Sequence, residues 1–172
     1  PVPIPRLTSN SLPKTGKVRS MGDFNSVDEI LDYAIEREQE AVDFYQSLSQ
    51  KMDRPWMKTV FEDFAKEEMG HKRKLEAVKK GELLVLTKQR VQDLKIGDYL
   101  VAVDPDEEEL DYQKALIIAM KREKSSFKLY NDLAQAAEDE KVKETLLDLA
   151  QEEAKHKLRF EVEYDDLVLS EN

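Results

Sequence analysis

The sequence contains no cysteine among its 172 residues. This absence excludes disulfide bonds, iron–sulfur clusters, cysteine-ligated zinc modules and thiol chemistry within these residues. Glycine is scarce, with five residues, and no apolar run approaches the roughly 20 residues of a membrane-spanning helix. No secretory signal sequence is visible either. We therefore expect a protein that makes no contact with membranes and resides in the cytoplasm.

Positive charge is also in short supply, because 27 lysines and arginines stand against 37 aspartates and glutamates, and the formal net charge is −10. Nucleic-acid backbones bind basic surfaces, so we expect no nucleic-acid partner. An acidic surface instead raises the local concentration of cations. Charged residues still make up 37% of the chain. Its richness in glutamate, lysine, leucine and alanine is typical of long amphipathic helices, and its length fits one domain.

Four segments of the sequence have the apolar spacing of amphipathic helices. Candidate capping residues mark their starts, such as Ser26 in a Ser-x-x-Glu capping box and Asp139. Short connections join the first helix to the second and the third to the fourth, so each pair is predicted to form an antiparallel hairpin. The predicted limits of the four helices are residues 26–50, 53–81, 104–137 and 139 to beyond 160.

Two stretches of the chain fall outside these helices. Residues 81–104 are too apolar for a solvated linker, and their length fits an extended crossover along the bundle; strand pairing with a second subunit is an alternative for part of it. Residues 1–22 lack apolar periodicity and are predicted to form an extended tail. Met21 is a candidate natural start, which would make residues 1–20 an expression remnant. Residues 23–172 are therefore predicted to form one all-α domain, a four-helix bundle of two hairpins with a long crossover.

Histidine is scarce, with two residues, and these two histidines carry the strongest signal in the chain. Each lies three residues after a glutamate, and each of those glutamates lies 30 residues after another. Two copies of a Glu-x29-Glu-x2-His motif therefore stand 85 residues apart, and the same shift superposes further residues, among them Tyr45 on Tyr130. This repeat predicts two related hairpins facing each other about a pseudo-twofold axis. The six motif residues are Glu38, Glu68, His71, Glu123, Glu153 and His156.

The six motif residues are predicted to be the ligands of a dinuclear metal site. Residues three apart share one face of a helix, and the midpoints of antiparallel helices lie at the same height, so all six side chains converge on one layer. Four buried carboxylates without compensation would each cost several kcal/mol, and two divalent cations supply that compensation. Carboxylate and imidazole ligands without thiolate suit iron or manganese. The alternative is that the six residues are exposed to solvent on the helix faces. It would require the apolar stripes of the four helices to face away from these residues.

Two pairs of residues near the motif bear on this site. Tyr45 and Tyr130 fall on the ligand face, where their hydroxyls either hydrogen-bond to ligand carboxylates or His N–H groups or simply belong to the core. Ala41 and Ser126 are small and leave room above the metals. The tyrosines are therefore candidate catalytic-site residues that orient the ligands.

Other residues close to the motif are predicted to be ordinary surface or core residues. Glu67 and Glu152 immediately precede ligands, point off the ligand face and are predicted to be surface charges. Trp56, Phe61 and Phe64 are predicted to lie in the core, as large apolar side chains usually do.

The doubled motif resembles the ferritin-like di-iron carboxylate proteins, and within them the rubrerythrin group, over residues 27 to about 165. The resemblance implies a ferritin-like bundle with Glu68 and Glu153 bridging two irons, and a homodimer, which the apolar crossover also favours. Glu38 and Glu123 would be terminal ligands, and each histidine would bind one iron. Rubrerythrin itself adds a rubredoxin domain with four cysteines, which this chain does not contain, and a further glutamate where this chain has Ser126.

The resemblance implies an enzyme, a di-iron oxidoreductase that reduces hydrogen peroxide or dioxygen under oxidative stress. Two iron ions would be its cofactors, with manganese or a mixed manganese–iron pair as alternatives, and a separate rubredoxin-like carrier would supply electrons. A second hypothesis is a ferroxidase, for which Fe(II) is the substrate and the oxidised product leaves. A third is a non-catalytic module in which the metals only join the helices.

Overall fold

The structure, a computed structural model, describes residues 7–8, 24–101 and 109–171. Four long helices form a bundle of two antiparallel hairpins, with α1 packed along α2 and α4 along α5. The predicted all-α four-helix bundle is thereby confirmed. The elements are β1 (Leu7–Thr8), α1 (Val27–Lys51), α2 (Pro55–Lys80), α3 (Lys88–Asp93), a 3₁₀ turn (Ile96–Tyr99), β2 (Glu109–Leu110), α4 (Tyr112–Ala136) and α5 (Glu140–Glu171).

The helix starts follow local capping chemistry. Ser26 Oγ accepts from the Glu29 N–H at 3.1 Å, as the capping-box pattern predicts. Asp139 Oδ1 likewise accepts from the Val142 N–H at 3.0 Å, ahead of α5. In contrast, α2 begins at Pro55 without a side-chain cap, because its N-cap residue, Arg54, has no side-chain acceptor. Pro55 itself lacks one of the N–H groups that would otherwise be unpaired in the first turn.

The predicted start of the third helix is wrong. Helix α4 begins at Tyr112, and Asp111 Oδ1 accepts from the Lys114 N–H at 2.7 Å as its cap. Upstream, Glu109–Leu110 instead pair antiparallel with Leu7–Thr8. A pairing between segments so distant in sequence has no local signal, and it leaves the later aspartate as the cap. The earlier candidate cap and proline, and residues 1–22 apart from Leu7–Thr8, lie outside the described residues.

Over its described residues, 82–101, the crossover is not extended throughout as predicted but contains α3 and the 3₁₀ turn. Val91, Leu94 and Tyr99 of the crossover are buried against the bundle. The Tyr99 carbonyl oxygen accepts from Ser125 Oγ at 2.5 Å and from the Tyr33 hydroxyl at 3.3 Å. The crossover thus contacts both α1 and α4. The burial of its apolar side chains stabilises this folded path more than an extended path along the bundle would.

The core divides into two apolar clusters, one toward each end of the bundle, with the six motif residues between them in the sequence of every helix. Phe61 and Phe64 belong to the core, as predicted, whereas Trp56 is 52% exposed and contradicts its prediction. The reason is that Trp56 follows Pro55 in the first turn of α2, where the bundle ends. None of the described helices combines the length and apolarity needed to cross a membrane.

Candidate metal centre

The six motif side chains converge in the middle of the bundle, and none is more than 4% exposed. Their ligand atoms fall into two groups of four, each with all atoms within 4.8 Å of one another. Two carboxylates belong to both groups, so the arrangement has two adjacent positions joined by shared ligands. The groups are Glu38, Glu68, His71 and Glu153, and Glu68, Glu123, Glu153 and His156.

Glu68 has the geometry of a carboxylate between two positions. Its Oε2 lies 3.0 Å from His71 Nδ1, and its Oε1 lies 2.8 Å from His156 Nδ1. Glu153 faces the same two atoms at 2.8 Å and 3.8 Å. Within the described residues both Glu68 oxygens and His156 Nδ1 are buried without a hydrogen-bond partner. Buried polar atoms are rarely left unpaired, so this donor set fits a pair of divalent cations.

The charges of the site support the same conclusion. Burial and the charge of Glu68 raise the pKa of Glu38 and of Glu153 well above the ordinary value. Burial also raises the pKa of Glu68, but the imidazoles of His156 and His71 outweigh it and bring the pKa to about 2. Without a metal, protons must therefore balance the clustered carboxylates. Divalent cations can take over that role, and their binding would release protons.

The two tyrosines connect the hairpins at this layer. The Tyr45 hydroxyl of α1 donates to Glu123 Oε1 of α4, and the Tyr130 hydroxyl of α4 donates to Glu38 Oε1 of α1. Burial raises the pKa of both tyrosines, so the hydroxyls remain protonated donors. Each bond occupies one carboxylate oxygen. The other oxygens, Oε2 of Glu38 and of Glu123, lie 3.9 Å and 3.6 Å from Nδ1 of His71 and His156.

Glu67 and Glu152 also reach the site, which the sequence interpretation missed. His71 Nε2 lies 2.6 Å from Glu152 Oε2, and His156 Nε2 contacts Glu67 Oε2. Both glutamates keep the predicted exposure to solvent, but the prediction did not include their contacts to the histidines of the neighbouring hairpin. One signal was present in the sequence: the 85-residue shift superposes Glu67 on Glu152.

A cavity of about 100 Å³ borders the four central carboxylates. Ala41 and Ser126 line it from the helices, and residues 99–101 line it from the crossover. Arg37 and Glu40, whose Nη2 and Oε1 atoms are 2.5 Å apart, also line it. The site is thus buried yet bordered by space for a small molecule.

The rubrerythrin family profile matches residues 29–164. The chain belongs to the rubrerythrin family. The resemblance carried by the doubled motif is confirmed, and rubrerythrin-family membership together with the buried clusters indicates binding of iron or manganese. No curated protein matches the chain.

Several solved structures share the fold of this rubrerythrin-family chain. A Thermotoga maritima protein assigned as a ferritin-like diiron-carboxylate protein superposes with a TM-score of 0.66 and 23% identity, over 84% of this chain and 97% of that one. A hypothetical protein from Pyrococcus furiosus has a TM-score of 0.63 and 23% identity, over 83% and 90%. A manganese catalase from Anabaena has a TM-score of 0.60 and 18% identity, over 90% and 80%. At these identities the likeness shows the ferritin-like fold alone.

Proposed function

We propose that this chain is a di-iron oxidoreductase that reduces hydrogen peroxide or dioxygen with electrons from an external carrier. The observation that supports it most is the pair of shared carboxylates, Glu68 and Glu153, beside a cavity. Shared carboxylates hold two cations side by side. A metal site that only joined helices would have no need of adjacent space, whereas a catalytic site keeps room for substrate.

Two of the six ligands have a different role from the other four. Glu68 and Glu153 would hold both cations, and each remaining ligand would hold one. Two adjacent ferrous ions, when bound, supply two electrons to one O–O bond, and hydrogen peroxide with two electrons and two protons yields two water molecules. Tyr45 and Tyr130 hold Glu123 and Glu38 by their Oε1 atoms and so keep the other oxygen of each toward the centre.

The cavity and its walls would control what reaches the centre. Ala41 and Ser126 leave the space, since larger side chains there would fill it. The crossover forms part of the wall, held by the hydrogen bonds of the Tyr99 carbonyl, and it would limit the access of bulk water. A cavity of about 100 Å³ admits peroxide or dioxygen more readily than a bulky organic hydroperoxide.

The experiment that tests the function is anaerobic loading of the chain with Fe(II), followed by stopped-flow mixing with hydrogen peroxide or with oxygen. We expect rapid oxidation by at least one of them, retention of the iron after gel filtration, and reduction by an added one-electron donor. A Glu68→Ala variant serves as the inactive control, and Glu144→Gln, at an exposed position of α5, serves as the neutral one.

Two other outcomes would contradict the proposal. Release of Fe(III) after oxidation would favour the ferroxidase hypothesis. Inertness toward both oxidants with two ions bound would favour a non-catalytic module. The rubredoxin-like carrier, the homodimer, the cytoplasmic location and the role in oxidative stress stay predictions.

A further inference from the structure

We propose that Glu67 and Glu152 are positioning residues of the metal centre, and that each holds the histidine of the opposite hairpin with Nδ1 toward the central carboxylates. Glu67 lies on α2 and acts on His156 of α5; Glu152 lies on α5 and acts on His71 of α2. The inference rests on the proposed metal site and adds two residues that reach it from the outside.

The contacts of His71 fix its ring at both nitrogens. Nε2 lies 2.6 Å from Glu152 Oε2, while Nδ1 lies 2.8 Å from Glu153 Oε1 and 3.0 Å from Glu68 Oε2. The ring therefore spans from a partly exposed carboxylate to the centre of the bundle. A flip of the ring would put the carbons Cδ2 and Cε1 in the places of Nδ1 and Nε2, and it would break both sets of contacts.

The contacts of His156 repeat this arrangement in the other hairpin. Its Nε2 contacts Glu67 Oε2, and its Nδ1 lies 2.8 Å from Glu68 Oε1. The two imidazole rings lie nearly parallel, at 15°, with centroids 5.6 Å apart. Because both pairs follow the pseudo-twofold repeat, they are a property of the hairpin design rather than an isolated surface contact.

The chemistry of the two groups gives the arrangement its consequence. An ionised carboxylate only accepts hydrogen bonds, so the Nε2 atom that faces it carries the proton. The lone pair of the neutral imidazole then lies on Nδ1, which faces the metal positions. Carboxylates bound to the distal nitrogen of a histidine ligand orient the ring and raise its basicity, and their loss lowers metal affinity about 10- to 100-fold.

These glutamates can be changed without opening the core. The Glu67 side chain is 57% exposed and that of Glu152 is 40% exposed. Removal of either therefore tests the contact to the histidine rather than packing. Both contacts also run between α2 and α5, so they help to hold the two hairpins in register.

The test uses Glu67→Ala and Glu152→Ala, their Gln counterparts, and Glu144→Ala as a control at an exposed glutamate of α5. Zn²⁺ is a suitable diamagnetic probe, and the chain has only two histidines, so ¹⁵N-histidine NMR resolves two rings. We expect wild-type rings with Nε2 protonated and Nδ1 bound to Zn²⁺. Glu152→Ala should disturb the His71 ring, and Glu67→Ala the His156 ring.

Competition with a chromophoric chelator measures affinity for Mn²⁺ in the same variants. We expect the alanine variants to bind about 10- to 100-fold more weakly than wild type. The glutamine variants should recover part of the loss, because an amide oxygen still accepts the Nε2 hydrogen bond. Glu144→Ala should match wild type.

The proposal is overturned if the alanine variants keep both ring signals and bind Mn²⁺ within about twofold of wild type, or if Glu144→Ala loses as much. A wild-type chain that takes up neither Zn²⁺ nor Mn²⁺ contradicts the proposed function instead. The ring signals of the metal-free chain then decide the present proposal, because the Nε2 protons would still be protected in wild type and lost in the alanine variants.

Discussion

The two hairpins supply the same ligands but surround them differently. Tyr45 of the first hairpin lies in a cluster of rings, with Phe64 and Phe160 centroids at 5.7 and 5.5 Å. Tyr130 of the second hairpin lies at the other end of the bundle, in a cluster that includes Leu129 and Leu133. Both hydroxyls nevertheless reach a glutamate of the opposite hairpin. Ligand chemistry demands particular atoms, whereas core packing accepts many combinations of similar volume.

The two outer carboxylates, those of Glu67 and Glu152 that contact the histidines, differ in the charges beside them. Lys74 Nζ lies 3.6 Å from Glu152 Oε2, so the carboxylate at His71 has a cation beside it. No lysine or arginine of the described residues forms a comparable pair with Glu67. The pseudo-twofold repeat thus holds at the centre and weakens outward. Matched substitutions in the two halves can test how far these are equivalent.

The largest effect should come from Glu68→Ala compared with Glu38→Ala. Glu68 belongs to both ligand groups and Glu38 to only one, so the first variant should bind no metal pair and the second should retain one ion. Ligand at about 1,000 times its Kd stabilises a fold by about 4 kcal/mol, which is roughly 10 °C in Tm for a chain of this size. Differential scanning calorimetry with and without Mn²⁺ should show this gain in wild type and lose it in Glu68→Ala. Two ions retained by Glu68→Ala would contradict the shared-ligand geometry.

The next effect is the pH dependence of the stability of the metal-free protein, to which ligands of both halves contribute. Without metal, the folded-state pKa values of Glu38 and Glu153 are raised, so their contribution to stability is present below the unfolded value and lost as pH rises through the folded one. Burial lowers the pKa of His156, but Glu123 and Glu68 raise it to about 11. The contribution of His156 to stability is therefore present below the ordinary histidine pKa of 6.5 and is lost as pH rises toward 11. Glu68 has the opposite dependence because its pKa is lowered to about 2. Its contribution to stability is fully present above the ordinary value of 4.5 and is lost as pH falls toward 2.

Chelator-treated protein should therefore lose stability between about pH 6 and about pH 9, while metal-loaded protein should lose less. Thermal melts across this range, with buffers matched for ionic strength, would measure the difference. A metal-free chain whose stability rises over the same range would show that protons do not balance the carboxylates.

A smaller effect separates hydrogen bonding from packing at the two tyrosines. Tyr45→Phe and Tyr130→Phe should each destabilise the fold by about 1–3 kcal/mol, because each leaves a buried carboxylate oxygen without its donor. Tyr45→Leu should cost about 1 kcal/mol more than Tyr130→Leu, since only Tyr45 loses stacked and tilted ring neighbours. Urea unfolding at constant metal concentration would measure all four. Equal losses for the leucine variants would mean that the ring cluster adds nothing beyond apolar burial.

The smallest effect should come from Lys74→Gln. Its pair with Glu152 is partly exposed, and such pairs contribute at most about 1 kcal/mol. We expect a slight loss of affinity confined to the His71 position, read from the ¹⁵N signal of that ring during Zn²⁺ titration. A larger loss at the His156 position would show that the two outer carboxylates act as one unit.

Much of the architecture could be predicted because its signals are local or periodic. The cap at Ser26 and the cap at Asp139 satisfy N–H groups within one turn, so each can be identified from a few residues. The start of α4 could not be predicted, since it depends on a pairing with Leu7–Thr8 far away in sequence. Trp56 was misjudged because residue type indicates core membership only when the helix position permits burial.

The sequence by itself determined the repeat, the four helices and the six candidate ligands, because helical periodicity places residues three apart on one face and a duplicated hairpin brings equal heights together. Only the tertiary structure decided which oxygen faces which histidine, that Tyr45 and Tyr130 cross to the opposite hairpin, and that Glu67 and Glu152 turn inward to the imidazoles. These contacts join different helices at fixed rotations, and the rotation of one helix against another is set by packing across the whole bundle.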